Sequence, residues 1–323
     1  MAGERKSFED FEARASAQVV QQMTKTIGVT MSQGIAAGLI VDHKLEGTLR
    51  HFPEDPTQDD ALVELHADAL ANVLCEQILA AADGATDVSA VGVALPGIVR
   101  KGVVEDSPNL PQLKGARVQK SLTGLLSEQG LHASVTILND ADAVAAGIAA
   151  TRGLLDRLIR VWTLGHGIGH GRYPFQPGIW EGGHSVVTLD SKETYCGCGG
   201  RGHLEGIMGQ RAMRLRFLDM EPEEVFEAAK KGDLRCFEFK KLWHRALAAA
   251  TATTIHMSGP GKFFVTGFNV RFLELPMLQD YLHQMVKMSP LQSYSIEAIP
   301  KNEESDIIGA GVAAEQALAA GNS

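Results

Sequence analysis

Glu181-Gly-Gly-His184, followed by Tyr195-Cys-Gly-Cys-Gly-Gly-Arg-Gly-His-Leu-Glu205, gathers His184, Cys196, Cys198 and His203 into a span of twenty residues. Imidazole and thiolate together suit Zn²⁺ in a tetrahedral site. The Cys-x-Cys pair puts both sulfurs on one tight loop, and the glycines around it let the chain wrap a small ion. Four protein ligands would close the site, leave no position for a catalytic water and make the metal structural. The alternative is two surface cysteines beside unrelated histidines. Glu181 and Glu205 flank the four and exceed what a four-coordinate metal needs. Carboxylates at the edge of a metal knot point to a site being shaped, not only a fold being stapled.

Working outward, the 323 residues suffice for two lobes and a large core. A net charge of −9 argues against general nucleic-acid binding, which needs a basic face to displace counterions. It leaves room for a small anion held by backbone amides. No run of eighteen apolar residues occurs, so no membrane span is expected. Met1 to Lys25 is polar and charged, without the apolar stretch of a secretory signal. Cys75, Cys196, Cys198 and Cys236 are too scattered for a disulfide framework, and a reduced cytoplasm is the simpler expectation.

The pattern of elements is α/β. Residues 7–25 suggest a short amphipathic helix that packs on its own domain or on a dimer partner. Thr26–Met31 and Ile35–Asp42 suggest a strand-turn-strand about Ser32-Gln-Gly34, with a third strand over Leu45–His51. Residues 60–83 suggest one helix, with Leu62, Leu65, Ala69, Val73 and Leu74 on a stripe. Val88–Leu95 suggests a buried strand ending in Pro96-Gly97, and Val135–Leu138 another ending in Asn139-Asp140 before an Ala-rich helix to residue 151. The theme then repeats. A strand over Leu158–Leu164 enters a glycine-rich turn, Gly165–Gly171. Helices are expected near 204–218, 222–231, 236–257 and 273–288, strands over Phe263–Thr266 and Ser295–Ile299, and a last helix over Asp306–Gln316. The change of pattern suggests a lobe boundary near residue 139.

Three further segments bear on chemistry. Asp140 just past a strand end can take a proton from a hydroxyl, with Asn139 holding that hydroxyl in line. The competing reading is a helix N-cap, which Asn and Asp both favour. Gly165-His-Gly-Ile-Gly-His-Gly171 resembles a phosphate cradle, but its alternating glycines match neither a P-loop nor a dinucleotide fingerprint. A plain glycine-rich hairpin is the alternative there, although His166 and His170 are unusual insertions. Gly261-Lys262 lacks the rest of a Walker motif and reads as a turn.

Taken together, about residues 27 to 316 resemble the ROK family, the sugar kinases and sugar-responsive repressors of the actin-like ATPase superfamily. Val93-Ala-Leu-Pro-Gly97, Ser107-Pro-Asn-Leu-Pro111, Leu138-Asn-Asp-Ala-Asp142, Gly165-His-Gly-Ile-Gly169, the two segments about His184 and Cys196–Glu205, and Gly309-Ala-Gly311 carry the resemblance in order. It implies a two-lobed, ribonuclease H-like α/β fold with a structural zinc site. An N-terminal helical extension (1–26) would precede a small lobe (27–138 with 306–323) and a large lobe (139–305) holding the zinc segment 184–203. It implies Asp140 as general base, and Gly97, Asn109, Asn139, Glu181, His184 and Glu205 as sugar contacts. His184 would give one ring nitrogen to zinc and the other to the sugar. ATP with Mg²⁺ would be the donor, and a homodimer the expected assembly.

The departures fall on the nucleotide side. Family kinases carry Asp-x-Gly-Gly-Thr where this chain has Thr30, Met31, Ser32, Gln33 and Gly34. The second phosphate loop, Gly165-His166-Gly167, has His166 in place of Thr, and the late Gly-Gly is Gly267-Phe268. Ser32, Gly34, Gly165, His166, Gly167, Gly267 and Gly309 are the candidate nucleotide contacts that the resemblance implies, on an eroded framework. His203 stands where a third Cys is usual, a mild change for zinc. The resemblance therefore supports a kinase acting on a hexose or N-acetylhexosamine. The alternatives are a sugar-binding sensor that has lost normal ATP binding, and another reaction on a bound sugar using Asp140, His166 or His170. A DNA-binding repressor is less expected, since only about 26 residues precede the first strand and the chain is acidic.

Overall fold

The computed structural model describes residues 24–55, 58, 61–176 and 178–321. The helix expected over 7–25 lies almost wholly outside the described residues.

Two sheets organise the chain. The first is built from β1 (Lys25–Met31), β2 (Ile35–Val41), β3 (Lys44–Phe52), β4 (Ala90–Leu95) and β7 (Ser134–Asn139), in the order β3-β2-β1-β4-β7. β1 pairs antiparallel with β2 and parallel with β4, which pairs parallel with β7. The second comprises β8 (Ile159–Leu164), β9 (Ile168–Tyr173), β10 (Lys262–Thr266) and β11 (Ser295–Ala298), ordered β11-β10-β8-β9. β10 pairs parallel with β8 and β11, whereas β9 is antiparallel to β8. The central strands are buried along almost their whole length because both sheet faces are covered.

Helix α1 (Ala67–Ala82) and α2 (Val118–Glu128) cover the first sheet, where Leu70, Leu74, Ile78, Leu122 and Leu126 are buried. Helices α4 (Leu204–Met208), α5 (Gln210–Arg216), α6 (Pro222–Lys230), α7 (Leu234–Ser258) and α8 (Leu275–Met285) build a separate core about Trp243, Phe226 and Phe272 against the second sheet. Between the sheets lie α3 (Asp140–Thr151) and α9 (Glu303–Ala319). Their alanines join Ala36, Ile40 and Leu138 of one sheet to Val161 and Phe264 of the other in a third cluster. Small residues are required at this crossing. A Cβ at Gly147 would overlap the Ser305 carbonyl, and one at Gly309 the Ala143 carbonyl.

Several expectations need correction. The helix placed over 60–83 begins at Ala67, after His66 takes an extended backbone; Leu62 still reaches the core, from a turn. The turn placed over 165–171 is only its first three residues. Ile168–Tyr173 is a strand, registered Leu164↔Ile168 and Trp162↔His170. The alternating glycines follow strand periodicity: a Cβ at Gly171 would strike the Ala141 carbonyl, while His170 faces the other way and stacks on Trp162. The helix placed over 204–218 breaks at Gly209, whose Cβ would meet the His166 carbonyl at 2.9 Å. The hairpin of β5 (Ile98–Arg100) and β6 (Val103–Asp106), and α2, are additions to the sequence reading. No helix among the described residues is long and apolar enough to cross a membrane.

Candidate functional site

The sequence-nominated residues converge at the C-terminal ends of parallel strands, where open α/β sheets present ligands. β4 ends at Pro96-Gly97, β7 at Asn139-Asp140, β8 at Gly165 and β10 at Gly267.

Asn139 is the N-cap of α3. Its Oδ1 accepts from the Ala141 amide at 2.9 Å, and its Nδ2 donates to the Gly97 carbonyl at 3.0 Å. The cap reading thus applies to Asn139 and also fixes the strand-β4 loop. Asp140 is half-buried, with Oδ1 accepting from the Ala141 amide at 2.9 Å. Burial raises its carboxyl above the ordinary range, against the pull of that amide and of Lys301. Asp142, one helical position beyond Ala141, accepts from the Arg172 amide at 3.0 Å, and burial raises it to about 6.

Glu181 is raised by desolvation, lowered by His184, and raised by the charges of Glu205 and Asp140. These four side chains therefore share one electrostatic neighbourhood. Glu205 spans it: Oε2 accepts from the Ile168 amide at 3.1 Å, and Oε1 lies 3.8 Å from Cys196 Sγ. A Cβ at Gly167 would lie 2.5 Å from that Oε2, so glycine is needed there for the turn to rest on Glu205.

The metal candidates are assembled. His184 Nδ1 is 3.4 Å from Cys196 Sγ, the two sulfurs are 3.4 Å apart, and His203 Nδ1 is 3.3 Å from Cys198 Sγ. All four ligand atoms lie within 4.8 Å of one another. A tetrahedron with ordinary Zn–N and Zn–S lengths has edges of about 3.3–3.8 Å, so the adjacent pairs have the right spacing. The His184 ring turns Nδ1 to the sulfurs and Nε2 towards Glu181, at 3.9 Å from Oε2. Burial pushes the Cys196 thiol up to about 12. A divalent cation reverses that preference by favouring thiolate.

Other nominated residues stand apart. Asn109 is exposed in a turn, with no hydrogen bond to the group above among the described residues. Ser32 is exposed in the β1–β2 turn, where its amide donates to the Gly34 carbonyl at 2.9 Å. Gly309 is buried against Ala143, and helix packing there already requires glycine. His166 is exposed and meets Phe268.

A cavity of about 260 Å³ opens beside Asn139 and Glu181 and continues along Asp142, His170, Phe175 and Trp180. Trp180 is half exposed, its ring 3.5 Å from the Arg172 guanidinium carbon, a cation–π contact that braces it. Sequence reasoning missed Asp142, Arg172 and Trp180. The signal available for Trp180 was an aromatic residue directly before Glu181.

The chain is similar to known proteins over most of its length. Residues 58–317 match the model of the ROK family. A glucokinase of Thermotoga maritima is 28% identical over 285 residues, covering 78% of this chain and 86% of that protein. A glucokinase of Pyrobaculum calidifontis is 30% identical over 196 residues, 56% of this chain; the match spans 63% of that protein's own length. Among solved structures, a ROK hexokinase from Thermus thermophilus superposes with a TM-score of 0.74 at 21% identity, covering 92% of this chain and 100% of that one. These neighbours share the actin-like ATPase fold. The chain belongs to the ROK family of sugar kinases and their relatives.

Proposed function

We propose that this protein is a sugar kinase that transfers the terminal phosphoryl group of ATP to a hydroxyl of a hexose or N-acetylhexosamine. The observation that carries the reading is the family match with glucokinase relatives, supported by Asp140, Glu181, His184 and Glu205 lying within one another's electrostatic reach. Asp140 is the base. A carboxyl raised by burial is better matched to accepting a hydroxyl proton than an exposed Asp. Glu181 and Glu205 accept from neighbouring hydroxyls, and His184 Nε2 serves as a third contact while Nδ1 stays with the sulfurs. Asn139 holds the loop of Gly97 in place. The cavity beyond Glu181 gives room for a substituent on the sugar.

His184, Cys196, Cys198 and His203 would hold Zn²⁺ in a structural role, as their spacing fits the ion. Mg²⁺ accompanying the donor would neutralise charge on the transferred group. Asp140 and the buried Asp306, each sensing Lys301, are the carboxylates that would serve it. The fit is partial, because Thr30 supplies no carboxylate at the first turn. A silent sugar sensor is the less favoured reading, since the curated relatives are glucokinases.

The test is calorimetric titration with glucose, N-acetylglucosamine and N-acetylmannosamine, followed by phosphorylation of whichever binds, using Mg-ATP. Wild type is expected to phosphorylate at least one, and Asp140→Ala to lose about 10²–10⁴-fold in kcat while melting normally. Sugar binding without any phosphoryl transfer by wild type would refute the kinase reading. Retained turnover in Asp140→Ala would remove Asp140 from the base role.

A further inference from the structure

The loops after β8 and β10 meet each other. The strands are parallel neighbours, registered Thr163↔Thr266, so Gly165 and Gly267 emerge side by side at the ligand-presenting sheet edge. Gly267 has a φ of +98°, and a Cβ there would lie 2.8 Å from the Leu164 amide nitrogen, so this glycine fixes where residue 268 leaves the strand.

Gly165, which starts the turn, has both of its backbone groups paired. Its amide donates to the Gly167 carbonyl at 3.0 Å, and its own carbonyl accepts from the Gln210 amide at 3.2 Å and from Asn269 Nδ2 at 3.1 Å. The Phe268 ring lies against this glycine: a Cβ on Gly165 would stand 3.3 Å from the ring edge. The His166 imidazole meets the same ring edge-on, with centroids 5.2 Å apart. Phe268 nevertheless remains 42% exposed, while Asn269 and Phe272, in the same short 3-10 segment Phe268–Phe272, are buried anchors. Phe268 is therefore a surface ring held over a glycine turn and not part of the core. The two residues that make the cover come from separate loops, and each replaces a smaller residue of the family pattern.

We infer that Phe268 and His166 form an aromatic cover over the Gly165–Gly167 turn, and that Phe268 sets how well a nucleoside triphosphate reaches it. The inference rests on the kinase reading, in which this turn faces the donor phosphates. With the ring down, the turn offers its donor an apolar surface and a spent amide. With the ring rotated away, the backbone is approachable again. Rotation needs only side-chain torsions, since Asn269 and Phe272 hold the backbone. The cover thus weakens the binding of Mg-ATP without touching the sugar-side carboxylates.

The experiment is calorimetric titration of the full chain with Mg-ATP in the absence of sugar, for wild type, Phe268→Gly and His166→Thr. Each variant is checked by its melting curve and its affinity for the preferred sugar. Phe268→Gly is expected to bind Mg-ATP tighter by roughly three- to tenfold, the scale of one aromatic pair, with sugar affinity unchanged. His166→Thr is expected to shift affinity in the same direction by less. Unchanged nucleotide affinity in both variants would overturn the inference. Weaker binding in Phe268→Gly would also overturn it, by making the ring a contact of the nucleotide. Failure of the parent reading looks different: Mg-ATP tightens in Phe268→Gly, but neither protein phosphorylates any sugar.

Discussion

Asp306 is a buried carboxyl whose charge is costly to the fold. It lies in the first turn of α9 with 9% of its surface exposed, and burial raises its carboxyl from 3.8 to about 7, aided by Asp140 and Glu303 and opposed by Lys301. A carboxyl raised in the folded state keeps its proton there while the unfolded chain has lost it. Stability therefore falls as pH rises from about 4 to about 7 and stays low above that. Taking each pH unit as about 1.4 kcal/mol, the ionised Asp306 costs about 4 kcal/mol at pH 8. That is a large part of the 5–15 kcal/mol typical of a domain. Asp306→Asn keeps the shape and removes the charge. The variant is expected to match wild type near pH 4 and to exceed it by up to about 4 kcal/mol at pH 8. Urea denaturation of both proteins at pH 4.5, 6 and 8 reads the difference directly. A pH-independent difference, or a variant less stable than wild type at pH 8, would refute the reasoning. A gain in stability accompanied by weaker Mn²⁺ binding in the presence of nucleotide would explain why so unfavourable a carboxylate is retained.

Three further outcomes follow from the same geometry. Removing metal with a strong chelator is expected to lower the melting temperature and weaken sugar binding together, because His184 serves both; Cys198→Ser should drop metal content below one ion per chain by elemental analysis. Gly309→Ala forces a Cβ onto the Ala143 carbonyl, and backbone cannot yield as a side chain does, so a loss of about 1–3 kcal/mol is expected in thermal unfolding, with the metal content unchanged. Trp180→Ala removes the braced outer wall of the cavity, and is expected to raise KM for a sugar bearing a bulky substituent more than for the plain hexose, with kcat preserved.

How much of this was legible in the sequence depended on whether the signal was local. The metal group was, because a closed tetrahedral site needs ligand types at short spacing, and His184, Cys196, Cys198 and His203 converge as that spacing implied. Most strands were, because the central ones are buried on both faces and read as mainly apolar runs. The helix α2 was also within reach, since Val118, Leu122 and Leu126 repeat at intervals of four. What the sequence hid was tertiary. The Gly169 and Gly171 pair looks like a loop until Ala141 of α3 is seen to lie against it. That helix packing demands glycine at Gly309 shows only once α3 is found crossing it. The pairing of His166 with Phe268 joins residues about a hundred positions apart, and only the adjacency of β8 and β10 brings them together.

Glu205 shows why the metal knot and the glycine turn belong to one device. It lies in the first turn of α4, two residues after His203; one carboxylate oxygen accepts from the Ile168 amide, and the other lies by Cys196. The knot side is further tied by a bridge between Val186 and His203 and by the Leu204 amide donating to the Ser185 carbonyl at 2.9 Å. A metal that fixes His203 and Cys196 therefore also fixes the carboxylate under the β8–β9 turn. Loss of the ion would release Glu205 from two sides, and the turn that it supports would lose the contact Gly167 exists to permit. Glu205→Gln separates these effects. The amide is isosteric and keeps the Ile168 hydrogen bond, but loses the negative charge beside Cys196. Metal content should survive that substitution, whereas sugar affinity should fall, because the second oxygen no longer offers a charged acceptor. Loss of metal in Glu205→Gln would mean that the carboxylate belongs to the ion's own coordination and not to the sugar.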